Sequence, residues 1–481
     1  MKLCLTLAEP DPQRLLSQLH RYSGNCPYIE VRLDYLARPA IPALPEKQGA
    51  QWIATCRPLR EGGRFQGEER KRIDLLEQAA KSGFDFLDLE WDTPIPTGLP
   101  AAVRIVRSRH LFDSFPASLD AVLPERQRPS DIAKLAVATR NTAEAVSLLQ
   151  WMSSRGPGQH TIVGMGEWGQ ITRYLGAFLG NAWTYVSLDR EIAPGQFSLN
   201  QGVKSFANWQ ESQPPLYAVL GAPLDHSLSP DLHNFLFRHY QQDGVYLPLC
   251  IDSVVPFLDW VRETRLDFRG FSVTMPHKLE AARWLHPSLP AKADPINTLT
   301  HREGNWGGQN TDRDGFLLPL AEQISLSQCR VVVLGTGGVA QTVVAALKEA
   351  RAVPIVVGRS ERALEQMADR FDCQTAHWSN LPIAGRVLVN TTPIGQFPHT
   401  EDSPWEGYPL DFELVYDLIY RPAKTRLLEA AERSGSKTIS GVEMFLRQAA
   451  LQFLAWTGIY PDLDLARSLL DRRLGPEGFV L

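Results

Sequence analysis

The sequence predicts an α/β protein of several domains, with a (β/α)8 barrel first and a two-part α/β region after it. Three observations predict this. The chain has 481 residues; short apolar runs alternate with amphipathic stretches over its first 200; and a later apolar strand runs into Gly335-Thr336-Gly337-Gly338-Val339-Ala340. An ordinary domain holds roughly 100–250 residues, so the chain has room for more than one.

In the first region, eight β-rich runs are expected at 3–8, 28–35, 52–57, 84–91, 103–110, 132–139, 161–165 and 185–188. Eight strand–helix units within roughly 200–250 residues is the pattern of a closed parallel barrel. This domain is placed at 1–205. A polar stretch over 200–215, ending in Gln213-Pro214-Pro215, reads as a last helix with a linker. A new α/β pattern over 216–315 forms the second domain, completed by helices at about 441–481. Residues 316–440 form the third, opened by the glycine-rich turn.

The net charge of −5 argues against a basic nucleic-acid or membrane surface, and no apolar run reaches the roughly 20 residues of a membrane span. The first ten residues do not make a signal peptide. Six scattered cysteines, none in a CxxC pair or at zinc spacing with histidine, fit a reduced chain. A cytoplasmic enzyme acting on small molecules, with no metal, is expected. Oligomeric state is not legible.

Strand residues at i, i+2 and i+4 share a face, so Glu30, Arg32 and Asp34 point together, as do Thr55 and Arg57. Barrel interiors are normally apolar. These charges serve either a structural ion-pair network or a binding site. Lys134 sits in the apolar strand Ile132-Ala133-Lys134-Leu135-Ala136, where desolvation and nearby cations would favour a neutral amine able to form an imine. His110 ends the preceding strand and would be its neighbour at the rim, placed for proton transfer.

These residues carry a resemblance. Glu30-Val31-Arg32-Leu33-Asp34, Thr55-Cys56-Arg57-Pro58 with Glu61-Gly62-Gly63, Ser108-Arg109-His110, Lys134-Leu135-Ala136, Met165-Gly166 with Arg173, and Ala193-Pro194-Gly195-Gln196 resemble type I 3-dehydroquinate dehydratases, in the family's order. The resemblance implies an imine between Lys134 and the substrate ketone. His110 would remove the C2 proton and assist loss of water, with Glu61 as its partner. Arg173 would hold the substrate carboxylate, and Glu30, Arg32, Arg57 and Gln196 its hydroxyls and neighbouring charges. The chain departs from the family at Ile192, where a substrate-touching serine is frequent, and at Leu111, where Asp is usual.

Further along, Val331-Val332-Val333-Leu334 followed by GxGxxA and an apolar helix is the strand–turn–helix context of a dinucleotide site. Gly335, Thr336, Gly337, Gly338, Val339 and Ala340 would approach a pyrophosphate, aided by the helix N-terminus. The next strand ends in Gly358-Arg359-Ser360-Glu361-Arg362. An arginine there suits a ribose 2′-phosphate and therefore NADP(H), with Arg359, Ser360 and Arg362 as contacts.

Upstream, Gly221-Ala222-Pro223-Leu224-Asp225-His226-Ser227-Leu228-Ser229-Pro230 resembles the opening motif of shikimate dehydrogenases. The similarity recurs at Ser272-Val273-Thr274-Met275-Pro276-His277-Lys278, Ile296-Asn297-Thr298, Asn310-Thr311-Asp312, Asn390-Thr391-Thr392-Pro393-Ile394-Gly395, Tyr416-Asp417-Leu418-Ile419-Tyr420 and Gly441-Val442-Glu443-Met444. It implies that Ser227 and Ser229 bind the substrate carboxylate and that Thr274, Asn297, Tyr420 and Gln448 hold its hydroxyls. Leu418 and Gly441 would lie against the nicotinamide, and Lys278 with Asp312 would form the reacting pair. Reduction of a ketone generates an alkoxide that needs a proton and a nearby positive charge, and a lysine oriented by an aspartate supplies both. Asp294-Pro295 departs from the family's Gly-Ala, and Arg362 lies one residue closer to Arg359 than usual.

Together the halves imply dehydration of 3-dehydroquinate followed by NADPH-dependent reduction of 3-dehydroshikimate to shikimate. Three alternatives stay open: a quinate dehydrogenase in the second half, an inactive barrel kept as a scaffold, and a Schiff-base aldolase on the same barrel.

Overall fold

The computed structural model describes residues 2–46, 48–188, 191–209, 213–224, 227–289 and 294–474. Asp225 and His226 of the opening motif, and residues 475–481 of the expected C-terminal helices, lie outside them. The chain divides into two compact units. The first contains residues 1–230, 243–268 and 274–280; the second contains 231–242, 269–273 and 281–481.

The first unit begins with the barrel, in the order β1 (Leu3–Leu7), α1 (Pro12–Tyr22), β2 (Tyr28–Arg32), β3 (Gln51–Thr55), α2 (Glu69–Lys81), β4 (Phe86–Glu90), β5 (Arg104–Leu111), β6 (Ile132–Ala138), α3 (Thr142–Ser153), β7 (His160–Met165), α4 (Gln170–Phe178), β8 (Thr184–Val186) and α5 (Leu199–Phe206). All eight expected strands are present and run β7-β6-β5-β4-β3-β2-β1-β8. The seven pairings in that order are parallel. The Ala182 amide, donating to the His160 carbonyl at 2.7 Å, draws the approach to β8 toward β7.

The expected helices are incomplete. Among the described residues no α-helix follows β2, β4 or β5. Each of those connections carries three prolines: Pro39, Pro42 and Pro45; Pro94, Pro96 and Pro100; Pro116, Pro124 and Pro129. Proline removes an amide donor and clashes with the preceding turn, so helices do not propagate there. Where helices form, their starts are signalled. Asp11 caps α1 by accepting from the Gln13 and Arg14 amides, with Pro12 in the first turn.

The inward positions change character every second residue. At the N-terminal end Cys4, Tyr28, Ile53, Phe86, Val106 and Ile132 join Trp183 and Tyr185 in an apolar cluster. Two residues on, Thr6, Glu30, Thr55, Asp88, Ser108 and Lys134 are all buried, and two further lie Arg32, Arg57, Glu90 and His110. The apolar plug holds the barrel together and the next tiers spend burial on charge.

The first unit continues with β9 (Leu216–Gly221), the start of α6 (Ser229–His239), β10 (Val245–Cys250) and α7 (Val254–Glu263). β9 and β10 are parallel partners.

β11 (Phe268–Val273), in the second unit from Arg269 on, pairs antiparallel with β12 (Thr298–Arg302), which pairs antiparallel with β13 (Asn305–Gln309). α8 (Lys278–Leu285) bridges the division, and α9 (Thr311–Ala321) follows β13. A parallel six-stranded sheet comes next. Its elements are β14 (Arg330–Leu334), α10 (Gly338–Glu349), β15 (Val353–Gly358), α11 (Glu361–Phe371), β16 (Gln374–His377), β17 (Val387–Asn390), β18 (Leu414–Asp417), α12 (Arg426–Arg433) and β19 (Lys437–Ser440). The order β16-β15-β14-β17-β18-β19 is that of a doubly wound dinucleotide fold, with β14 beside the point where strand order reverses. α13 (Gly441–Thr457) packs on α9, and α14 (Leu463–Leu474) packs on α13.

Candidate functional sites

The barrel mouth brings together the sequence-predicted residues of the first half. Thr6, Glu30, Arg32, Arg57, His110, Lys134, Arg173, Ile192 and Gln196 line one cavity with Met165, Tyr185 and others. Lys134 is buried on β6, and its Nζ lies 2.9 Å from Asp88 Oδ2 and 3.4 Å from Glu30 Oε1. It also stands 4.2 Å from the centre of the Tyr185 ring. Of the cations expected near this amine, Arg57 is present, bound to the same Asp88 oxygen at 2.7 Å, while the hydrogen-bonding partners of the amine are carboxylates. Burial pushes the Asp88 carboxyl up, but Arg57 and Lys134 outweigh it and hold Asp88 far below the usual carboxylate range.

Glu61 approaches His110 from the turn after β3. One carboxylate oxygen accepts from the His110 amide at 2.8 Å and lies 3.0 Å from Nδ1. Nδ1 also faces the donor Arg57 Nη1 at 3.4 Å, but the closer Glu61 carboxylate only accepts, so the nearer contact calls for Nδ1–H and leaves the Nε2 lone pair open. Burial, then the charges of Arg57 and Lys134, keep His110 well below its ordinary range, in the neutral form a base requires. Burial raises Glu61 as well.

Arg173 is buried on α4; its Nη2 donates to the Pro194 carbonyl at 3.2 Å, and Nε has no hydrogen-bond partner among the described residues. Burial pushes its guanidinium down to about 10, the sign of a cation short of counter-charge. Gln196 Oε1 accepts from the amides of Ile192 and Ala193 at 3.3 and 3.2 Å, which folds the 192–196 turn over the mouth. Ile192 lines the cavity and offers it no side-chain polar atom.

Two details of the sequence reading change. β2 ends at Arg32, and Leu33–Tyr35 is a 3-10 turn, yet Asp34 still accepts from Arg32 Nε at 2.9 Å and Nη2 at 2.8 Å. Asp88 and Glu90 were not among the expected site residues, and Ser108 stood in a quoted motif without a role. Arg57 binds all three, Ser108 Oγ at 3.0 Å and Glu90 at 3.3 Å. The signal was present, because Asp88 and Glu90 alternate on β4 as Glu30 and Arg32 do on β2.

The residues expected at the second site are described unit by unit. In the first, the Ser229 amide donates to Ser227 Oγ at 3.4 Å at the start of α6. The Thr274 amide donates to the Leu220 carbonyl at 2.9 Å. A Cβ on Gly221 would lie 2.3 Å from Thr274 Cγ2, so only glycine permits this approach. Lys278 opens α8, half-buried.

In the second unit Asn297 is buried, donates to Thr311 Oγ1 at 3.0 Å and accepts from the Thr311 amide at 2.8 Å. That clasp sets the start of α9, where Asn310 caps the amide of Asp312 at 3.2 Å. α13 packs closely on this helix, with Gln448 against Gly315. Tyr420 stacks on Phe445 with centroids 5.3 Å apart. Gly441 sits where a Cβ would meet the Leu418 carbonyl at 2.3 Å, so the end of β18 and the start of α13 touch through backbone.

The glycine turn fits a dinucleotide. Gly335 has φ +114°, a left-handed conformation that favours glycine, and a Cβ there would strike Thr391 Oγ1 at 2.5 Å. Cβ atoms at Gly337 and Gly338 would meet nothing within 4 Å. That open space lies at the N-terminus of α10, whose first turn carries no acidic side chain. Thr336 and Val339 flank it half-buried, and Ala340 is buried in the core behind. Arg359, Ser360 and Arg362 are exposed at the end of β15, with Ser360 capping α11. Among the described residues no helix is long and apolar enough to cross a membrane, and no group of three or more His, Cys, Asp or Glu could hold a metal ion.

The sequence matches the family model of type I 3-dehydroquinase over residues 3–208 and that of the shikimate dehydrogenase substrate binding domain over 219–299. The shikimate 5'-dehydrogenase C-terminal domain matches over 441–470. The chain is 32% identical over 488 residues to a chloroplastic bifunctional 3-dehydroquinate dehydratase/shikimate dehydrogenase of Arabidopsis thaliana, covering 92% of this chain and 80% of that one. It is 40% identical over 261 residues to the NADP(+) shikimate dehydrogenase of Pelobacter propionicus, covering 51% of this chain and 92% of that one. A solved structure, shikimate 5-dehydrogenase of Thermus thermophilus in complex with NADP(H) and shikimate, is 33% identical, with a TM-score of 0.48; the match covers 54% of this chain and 99% of that one.

Proposed function

We propose how a chain that belongs to the bifunctional 3-dehydroquinate dehydratase/shikimate dehydrogenase family divides its two reactions among its residues. The enzyme dehydrates 3-dehydroquinate and reduces the resulting 3-dehydroshikimate to shikimate. We assign the dehydratase to residues 1–205, substrate binding for reduction to 216–315 with helices of 441–481, and the nucleotide to 316–440.

In the barrel, neutral His110 takes a proton from the Lys134 ammonium, the freed amine attacks the substrate ketone, and the proton returned to the carbinolamine hydroxyl leaves as water, giving the protonated imine. The protonated imine acts as an electron sink, and Asp88 and Glu30 stabilise its positive charge. Neutral His110 removes the C2 proton through Nε2, while Glu61 holds the ring by Nδ1. The same proton, returned to the departing hydroxyl, releases water, and hydrolysis of the imine frees Lys134. Arg173 takes the substrate carboxylate, with Arg32, Arg57 and Gln196 around the hydroxyls.

NADP(H), the cofactor in the names of the single-function relatives, supplies hydride for the reduction. The 335–340 turn would cradle its pyrophosphate, Arg359, Ser360 and Arg362 its 2′-phosphate, and Leu418 and Gly441 its nicotinamide. Ser227 and Ser229 orient the substrate carboxylate, and Thr274, Asn297, Tyr420 and Gln448 its hydroxyls. Lys278 delivers a proton to the developing alkoxide, and Asp312 keeps that lysine charged and aimed.

The observation that carries the reading is the buried lysine of β6 bridged to Asp88, in a cavity shared with a neutral, carboxylate-held histidine. Product analysis tests it. Wild type is expected to convert 3-dehydroquinate to 3-dehydroshikimate without cofactor and to shikimate with NADPH. Lys134→Ala should only reduce supplied 3-dehydroshikimate. If wild type reduces 3-dehydroshikimate but leaves 3-dehydroquinate intact, the barrel is a scaffold or has another substrate, and Ile192 is the first residue to change to serine.

A further inference from the structure

His277 precedes the lysine assigned to proton delivery, and its ring is buried between two acceptors of the same unit. Nε2 lies 2.9 Å from the Ile251 carbonyl and Nδ1 lies 3.2 Å from Glu280 Oε2. An acceptor on each side calls for a donor at each ring nitrogen. Glu280 in turn accepts from Ser253 Oγ at 2.7 Å and from the Val254 amide at 3.2 Å, so it caps α7. The 274–280 segment is thereby moored to residues 251–254 at both sides of the imidazole.

Those mooring residues are themselves held by the barrel. The Thr142 amide, at the start of barrel helix α3, donates to Asp252 Oδ1 at 2.7 Å, and the Asp252 amide donates back to Thr142 Oγ1 at 3.0 Å. Asp252 thus satisfies one of the amides that the first turn of α3 leaves open. Cys250 Sγ lies 3.6 Å from Glu167 Oε1 in the turn after β7. α3 packs on α7, and α4 and α5 pack on β10. Residues 250–254 are therefore gripped on one side by the barrel and on the other by His277 and Glu280.

We propose that His277 is a positioning residue for the reduction and that the barrel, by clamping residues 250–254, fixes His277 and with it the lysine that follows. The dehydratase fold is a working support of the second reaction. This rests on the assignment of Lys278 to proton delivery.

Steady-state reduction of 3-dehydroshikimate by NADPH in the full-length chain tests it, with dehydratase activity of the same preparations reporting an intact barrel. His277→Phe should lower kcat about 10-fold with KM nearly unchanged, as misplacement of a reacting group by a fraction of an ångström does. His277→Gln, which keeps an amide donor for the Ile251 carbonyl, should recover most of that loss. Asp252→Ala should lower the reduction kcat about 3-fold, a smaller slackening of the same geometry, and leave dehydration unchanged. Wild-type kcat in His277→Phe, or equal damage in the Phe and Gln variants, overturns the positioning role. An unaltered reduction rate in Asp252→Ala overturns the role of the barrel. Lys278→Ala separates the premise: full activity there removes the lysine assignment itself, whatever the His277 variants do.

Discussion

The barrel mouth and the nucleotide fold handle charge in opposite ways. At the mouth, Lys134, Arg57, Asp88, Glu90 and Glu30 are buried in a chain of four ion pairs, and burial, then the charges of Arg57 and Lys134, hold His110 below its ordinary range. In the nucleotide fold the candidate contacts are a glycine turn, a helix end and exposed arginines. The one buried acid at the end of β18, Asp417, is bound to neutral partners: Asn390 Nδ2 at 3.0 Å, the Ile419 amide at 3.2 Å and Thr425 Oγ1 at 2.6 Å. A buried network of ions is collective, since removing one member strands the others, whereas backbone and surface contacts are lost singly.

The largest test of that contrast is Asp88→Asn. It deprives two buried cations of their shared counter-charge and the imine of its stabilising carboxylate. A fall of about 100-fold or more in dehydratase kcat is expected, on the scale of removing one preorganised electrostatic partner. The reduction rate of the same protein serves as the folding control. A loss under about 5-fold would mean that the network is not collective, against the stranding of buried partners expected here.

Asp417 gives the next largest effect, with a definite sign. Burial raises it to about 6 despite its three donors. The folded state then holds a proton that the unfolded state, titrating near 4, has released. Its stabilising contribution is complete below pH about 4 and is lost as pH rises through about 6, amounting to about 3 kcal/mol for a shift of that size. Urea unfolding of Asp417→Asn between pH 4 and 8 should lack that slope; an unchanged slope would place the titration elsewhere.

Arg359→Ala should raise the KM for NADPH about 10-fold, leave kcat within about 2-fold, and narrow the preference over NADH, the signature of one lost charge-assisted phosphate contact. A matching rise in the KM for NADH would sink the 2′-phosphate assignment.

The smallest effect sharpens the comparison by opposing Asp417. His110 is lowered by burial and by two cations, so the unfolded chain takes up a proton near pH 6.5 that the folded one refuses. Its contribution to stability is therefore lost as pH falls below about 6.5. In activity, the acid limb of dehydratase kcat/KM should lie below pH 6.5, since the base stays neutral there. A limb at or above that value would contradict the electrostatic account of the mouth.

The amino-acid sequence by itself determined the local elements and the motif residues. Short apolar, β-rich runs set between amphipathic stretches located all eight barrel strands, because parallel strands covered on both faces read as continuous apolar runs. The glycine turn after β14 was legible because Gly335 meets a steric demand set by its own φ and by Thr391. Proline placement, legible in principle, decided which barrel connections lack helices. The tertiary structure alone decided which charges meet. Asp88 became the partner of Lys134, 46 residues away in sequence, only when β4 and β6 brought their side chains across one barrel interior. The mooring of His277 to Ile251 and of Asp252 to Thr142 likewise joins segments distant in the chain. Hydrogen bonds and Coulomb fields act through space over a few ångströms, so a sequence lists the candidates and the fold chooses the pairs.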